Sequence, residues 1–122
     1  MNKLIFIPAI AAVLFSASMA LIYYSPNEAE ASLDTFAACL AQKNITMYGA
    51  DWCPHCQNEK KAFGDSFRLV PYVECPENTK LCIDLKIAGY PTWIFPDGKR
   101  LQGEQGLVAL SRESECPLPQ SN

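Results

Sequence analysis

The chain has 122 residues, of which 49% are hydrophobic and 19% charged, and its formal net charge is −3. That is the length of one globular domain, too short for two and too apolar for a disordered chain. No basic face is evident, so nucleic-acid binding has no electrostatic support.

The chain opens with Lys3 and an uncharged run from Leu4 to Ser25 whose apolar body ends at Tyr24. Such a run matches the roughly 20 residues a helix needs to cross a bilayer. It also fits a secretory signal, with a positive start and small residues near its end. Ser18-Met19-Ala20 and Ala29-Glu30-Ala31 are the two possible cleavage sequences. The first would cut inside the apolar run and the second lies well beyond it, which favours an uncleaved anchor with Tyr23 and Tyr24 at the membrane boundary. Signal peptide or membrane anchor, residues 1–25 are expected to form an apolar helix and to place the rest of the chain outside the cytoplasm. Residues 26–31 read as a linker, 32–116 as the folded domain and 117–122 as an irregular tail.

Ser32 or Asp34 can cap a helix running to about Lys43, with Leu33, Phe36, Ala37 and Leu40 on one face. Ile45 to Tyr48 is a buried strand, closed by Gly49-Ala50. Asp51 to Cys56 is a loop entering a helix, with Pro54 suited to its first turn. That helix stops near Gly64. A second strand is predicted over Leu69–Glu74, a helix over Thr79–Ile87 and a third strand over Thr92–Phe95. Pro96-Asp97-Gly98-Lys99 is a turn signal, and Arg100–Gln102 returns as a fourth strand. A short helix from Leu107 to Arg112 follows. Helices between the early strands imply a parallel crossover, and the hairpin adds an antiparallel edge. The fold class is therefore α/β, a mixed four-stranded sheet flanked by helices.

Cys53-Pro54-His55-Cys56 carries the chemistry. Two cysteines three apart at a helix start face each other across one turn. Cys53 lies beside the free N–H groups and the positive end of the helix dipole, and both favour a thiolate, which is the nucleophile. Cys56, one turn inside, is placed to resolve a mixed disulfide. A protonated His55 would add positive charge beside the Cys53 sulfur. A stabilised thiolate stabilises the reduced pair and makes the disulfide a stronger oxidant. The bland readings fit less well. Half a zinc site lacks its other half, because Cys75 and Cys82 are seven apart and His55 is the single histidine. A structural Cys53–Cys56 disulfide would close too small a loop to stabilise much. A soft-metal carrier or partner-docking module without turnover is the alternative from another class. No metal or other cofactor is called for.

Trp52-Cys53-Pro54-His55-Cys56 after Met47-Tyr48-Gly49-Ala50, with Gly89-Tyr90-Pro91-Thr92 downstream, resembles the thioredoxin superfamily over roughly residues 33–112. Within it, the chain is most similar to the thioredoxin-like domain that accompanies bacterial vitamin K epoxide reductase homologues, which shares the stretches Met47–Cys56, Tyr72–Cys75, Cys82 and Tyr90–Trp93. The tetrapeptide also resembles that of periplasmic oxidants of the DsbA type, whose inserted helical domain has no room here. The resemblance implies a thioredoxin fold and an exported thiol–disulfide oxidoreductase, working as an oxidant, or run backwards as a membrane-tethered reductant. It makes Cys53 the nucleophile, Cys56 the resolving thiol, and Pro54 and His55 the rest of the active tetrapeptide. Pro91 becomes a cis-proline, Tyr90 offers backbone groups to a substrate strand, and Trp52 packs beside the disulfide. The implied partners are exported cysteine-containing proteins and a quinone-linked, vitamin K epoxide reductase-like membrane protein; this chain has nothing resembling the four-helix quinone-reducing domain. One position departs. Thioredoxins proper carry a buried Asp six residues before the first cysteine, and Met47 stands there in this chain.

With Cys53 paired to Cys56, the other four cysteines allow three pairings. Cys75 with Cys82 is favoured, since the turn through Pro76-Glu77-Asn78 can fold the helix start over the strand end; the resemblance points to the same pair. Cys39 and Cys116 then remain, either bridged to each other or as free thiols, with Cys39 a small buried residue.

Overall fold

The computed structural model describes residues 28–120, so the apolar helix and the signal or anchor expected over 1–25 lie outside the described residues. Helix α1 spans Glu28–Gln42, strand β1 Thr46–Gly49, helix α2 Pro54–Phe63 and strand β2 Tyr72–Glu74. Helix α3 covers Thr79–Asp84, strands β3 and β4 are Thr92–Ile94 and Arg100–Gln102, and helix α4 is Gly106–Ser114. The strand order is β2-β1-β3-β4, with β1 parallel to β2 and antiparallel to β3, and with β3 antiparallel to β4. This is the mixed four-stranded sheet of the thioredoxin fold. β1 sits in the middle, so Met47 faces Tyr72 on one side and Trp93 on the other.

The core is built where the apolar spacing of α1 meets the sheet and α2. Phe36, Ala37, Leu40, Ile45, Met47, Phe63, Trp93 and Leu110 are fully buried. Phe63 joins the layers: its ring stacks on Phe36 at 5.7 Å between centroids and lies 6.2 Å from Trp93. Such aromatic contacts add to the area each ring hides from water.

Three boundaries differ from the sequence expectation by three residues or more. α1 is already helical at Glu28, the first described residue, so the described part of the linker expected over 26–31 is helix. Alanine and glutamate, which make up residues 28–31, are good helix formers. The strand expected from Leu69 begins only at Tyr72, because Gly64–Leu69 forms a 3₁₀ turn instead. That turn is held to α1 by Asp34, which accepts from the Ser66 hydroxyl at 2.6 Å and pairs with Arg68. The guanidinium holds the Asp34 carboxyl at about 2, well below the usual range. α3 stops at Asp84, and Lys86 takes a φ of 53°, which ends the helix.

Two disulfides staple this frame. Cys39 of α1 is bonded to Cys116, just past α4, with Cα atoms 5.8 Å apart. Cys75, at the end of β2, is bonded to Cys82 of α3 at the same Cα separation of 5.8 Å.

α4 is also fixed by a buried charge. Glu59 of α2 is 1% exposed, and its two carboxylate oxygens accept the backbone N–H groups of Gln105 at 2.7 Å and Gly106 at 2.8 Å. These are donors at a helix start that no intrahelical acceptor serves. Hydrogen bonds to a charged group are worth about 1.5–3 kcal/mol each, so Glu59→Ala should cost about 3 kcal/mol or more in urea unfolding, with Glu59→Gln in between. A loss under about 1 kcal/mol would mean that the apolar contacts of Leu110 dock α4 without this carboxylate.

Candidate functional site

The site grows out of the turn between β1 and α2. Cys53 is the N-cap of α2, in extended conformation with φ −79° and ψ 121°, and Pro54 takes the first helical position. Proline has no N–H to lose there and its φ is already helical. The turn is tied down at several points. Cys53 N–H donates to Ala50 at 3.1 Å, Gln57 N–H to Cys53 at 3.0 Å, and the Gln57 side chain to Asp51 O at 2.8 Å. Lys60 reaches back to the Asp51 carboxylate at 2.6 Å, which holds that acid below its ordinary range.

Cys53 and Cys56 are free thiols. Cys53 is 7% exposed and Cys56 is fully buried. The first sulfur is thus more sheltered than its place at a helix start suggests, although Trp52 beside it is 68% exposed. Its S–H points to the Tyr90 carbonyl at 3.8 Å. Burial pushes the Cys56 thiol up to about 11, against the opposing pull of the Ala50 backbone and of Lys60. Gly49 makes this burial possible. A Cβ there would lie 2.8 Å from Cys56 Sγ and 3.2 Å from the Tyr72 ring, so only glycine leaves room for the sulfur. Met47, where thioredoxins proper carry a carboxylate, is fully buried among apolar groups.

Across from the cysteines, the Tyr90–Pro91 peptide is cis. Trp52 and Tyr90 meet edge to face at 6.0 Å, framing one side of Cys53. The Pro91 carbonyl accepts the Gly103 N–H at 2.7 Å, and Gly103 has a φ of +90°, a conformation open to glycine. The segment from Gly103 to Gly106 is therefore clamped at one end to Pro91 and at the other to Glu59. Between the clamps, Glu104 meets His55 Nδ1 at 3.1 Å and accepts from the Asn58 side chain at 3.2 Å. Those two contacts hold the Glu104 carboxyl below its usual range.

The structure thus gathers Trp52, Cys53, Pro54, His55, Cys56, Tyr90 and Pro91 at one end of the sheet, and leaves Cys39, Cys75, Cys82 and Cys116 in the two staples. Sequence reasoning missed Glu104, Lys60 and Tyr72. Lys60 had a usable signal, since it lies four residues after Cys56 on the same helical face. Glu104, 49 residues from His55, had none. Among the described residues, no cluster of His, Cys, Asp and Glu has a metal-holding arrangement. What the arrangement can do is exchange disulfides: a sulfur at the rim, held at a helix N-terminus, and a second sulfur sealed one turn below it.

No protein-family model matches the chain. It is 37% identical to thiol-disulfide oxidoreductase LTO1 of Arabidopsis thaliana, with 81% of this chain and 30% of that protein covered. It is 32% identical to protein disulfide isomerase-like 2-1 of Oryza sativa subsp. japonica, over 55% of this chain and 22% of that protein. The chain thus spans less than a third of the curated relatives it matches. Among solved structures, Fasciola hepatica thioredoxin aligns with a TM-score of 0.45 at 20% identity, over 60% of this chain and 79% of that one.

Proposed function

We propose, from the premise that this chain carries a domain of the thioredoxin-like superfamily, that it is a thiol–disulfide oxidoreductase that oxidises exported proteins through Cys53 and Cys56. The observation that carries this reading is the pair itself: free thiols on one helical turn, the outer at the N-cap and the inner fully buried. In the oxidising direction, a substrate thiolate attacks Cys53 Sγ of the Cys53–Cys56 disulfide. Cys56 leaves as a thiolate and takes a proton. A second substrate thiolate then attacks the substrate sulfur, a substrate disulfide forms, and Cys53 is released. Trp52, Tyr90 and Pro91 frame the face over which the substrate strand lies, with Tyr90 offering backbone groups. Pro54 starts the helix that presents the pair.

The chain works outside the cytoplasm, as a domain rich in disulfides does, tethered or exported through residues 1–25. Its reduced pair is recycled by a membrane redox partner of the quinone-linked, vitamin K epoxide reductase-like kind. Equilibration with glutathione tests the direction. An oxidant should have a potential well above the −270 mV or so of thioredoxin. A value at or below that figure would replace this reading with that of a membrane-tethered reductant, and stoichiometric metal binding without exchange would replace it with a carrier.

His55 tunes that potential. A protonated imidazole next to Cys53 would favour its thiolate and so the reduced form, and His55→Ala should therefore lower the potential by about 30 mV, a tenfold change in the equilibrium constant. Glu104 puts a carboxylate 3.1 Å from the imidazole, a negative charge that opposes a nearby thiolate, so Glu104→Gln should not reproduce the fall. Equal potentials in wild type and His55→Ala would leave the helix terminus alone as the source of thiolate stabilisation.

A further inference from the structure

The resolving sulfur poses a problem. Cys56 is fully buried, and β1 offers it Met47 in place of a carboxylate. The groups that act on it directly are Lys60 on α2, Cys53 at the cap of that helix and the Ala50 backbone in the turn before it; Tyr72 on β2 also faces it, and Tyr72 is flanked in turn by Glu74 and Asp51. They form one connected set. Lys60 Nζ sits 4.0 Å from the centre of the Tyr72 ring and 2.6 Å from Asp51 Oδ1. The Tyr72 hydroxyl donates to Glu74 Oε2, and the other Glu74 oxygen accepts the Asp51 N–H at 3.0 Å. The Tyr72 ring and Cys56 Sγ border the same small space over Gly49, at 3.2 Å and 2.8 Å from one point. Asp51 and Glu74 therefore hold Lys60 and Tyr72 in place, and the Lys60 ammonium is the cation in this set.

We propose that Lys60, seated on the Tyr72 ring and tied to Asp51, is the positioning residue whose charge stabilises the Cys56 thiolate each time it forms. This rests on the exchange reading of the pair. In resolution, Cys56 loses its proton to solvent, its thiolate attacks Cys53 Sγ, the Cys53–Cys56 bond forms, and the bond from Cys53 to the partner sulfur breaks. The partner leaves as a thiolate. Over formation and resolution of the mixed disulfide together, the pair is oxidised by two electrons and the partner disulfide is reduced by the same two. In the opposite direction Cys56 is the leaving group and takes a proton from solvent. Both directions pass through the same buried anion. While Cys53 is bonded to a partner it carries no charge of its own. Its unfavourable effect on Cys56 is then gone, and the favourable effects of the Ala50 backbone and Lys60 remain. The Asp51 carboxylate paired with Lys60 lies on the solvent side, 75% exposed, where water screens it, and a cation several ångströms away on the buried side favours the ionised thiol.

The test is a two-phase titration. Reduced full-length protein is mixed with an excess of a chromogenic aryl disulfide. In the first phase Cys53 attacks the reagent and releases one aryl thiolate. In the second, Cys56 displaces the other from Cys53. Lys60→Met keeps the aliphatic stem over the rings and removes the charge. Its first phase should match wild type. Its second should be about tenfold slower at neutral pH, with the inflection of rate against pH moved up by about one unit, because a thiolate that has lost a favourable cation forms only at higher pH. Lys60→Arg should restore most of the rate, which a merely structural role for the stem would not predict. A second phase in Lys60→Met with the rate and pH profile of wild type overturns this proposal alone. A wild type that releases a single equivalent and stops overturns the exchange reading, and this proposal with it.

Discussion

Cys53→Ser is expected to abolish exchange, lowering turnover by about 10³-fold or more, as loss of a nucleophile does. Cys56→Ser is expected to fail differently. The structure places Cys53 at the N-cap of α2 with its sulfur toward the Tyr90 carbonyl, and seals Cys56 beneath it against Gly49. A substrate sulfur therefore meets Cys53 first. Without Cys56 the resulting mixed disulfide has no internal thiol to release it, so the substrate stays attached until an external thiol arrives. Non-reducing electrophoresis of the Cys56→Ser protein mixed with an oxidised substrate should show a covalent adduct that added dithiol dissolves. Cys53→Ser should show none. Adducts on Cys53→Ser, or full turnover by Cys56→Ser, would reverse or dissolve the assignment of roles.

The second large effect is on stability. Replacing both Cys39 and Cys116 by alanine is expected to cost about 4.5 kcal/mol on the loop-entropy account, because the bond closes a sequence separation of 77 residues. The same account gives about 2.5 kcal/mol for Cys75 with Cys82, which are 7 apart. A domain of this size has a total stability of only about 5–15 kcal/mol, so the first loss is a large part of it. The long bridge also spans the structure, joining α1 to the chain just past α4, whereas the short one ties β2 to the neighbouring α3. Urea unfolding of the two double variants, each with the other bridge intact, should rank them in that order. The reverse ranking would mean that packing around the Cys75–Cys82 bond outweighs chain entropy.

Much of this fold is legible in the sequence. Pro54 after Cys53 marks a helix start, and the spacing of Cys53 and Cys56 puts one sulfur at its rim and one a turn below. The alternation of helices and strands, the turn at Pro96–Lys99 and the apolar spacing of Phe36, Ala37 and Leu40 led to the mixed sheet and to the face of α1 that it buries. All of these are short-range signals, because capping, φ preference and side-chain periodicity act within a few residues. Where two short-range preferences competed, the outcome was set elsewhere. Leu69 to Val70 has strand-forming composition, yet Gly64–Leu69 coils into a 3₁₀ turn that Asp34 of α1 holds through Ser66 and Arg68. The electrostatics of the site were settled at longer range still. Glu104 reaches His55 across 49 residues, Glu59 meets Gln105 across 46, and Asp51 binds Glu74 across 23. Nothing in the local sequence of either partner selects the other. The register of β1 against β2 and the docking of α4 on α2 bring them together. The sequence by itself determined which sulfurs could react. Only the tertiary structure decided which charges surround them, because a charge acts through space and its neighbours there are chosen by packing.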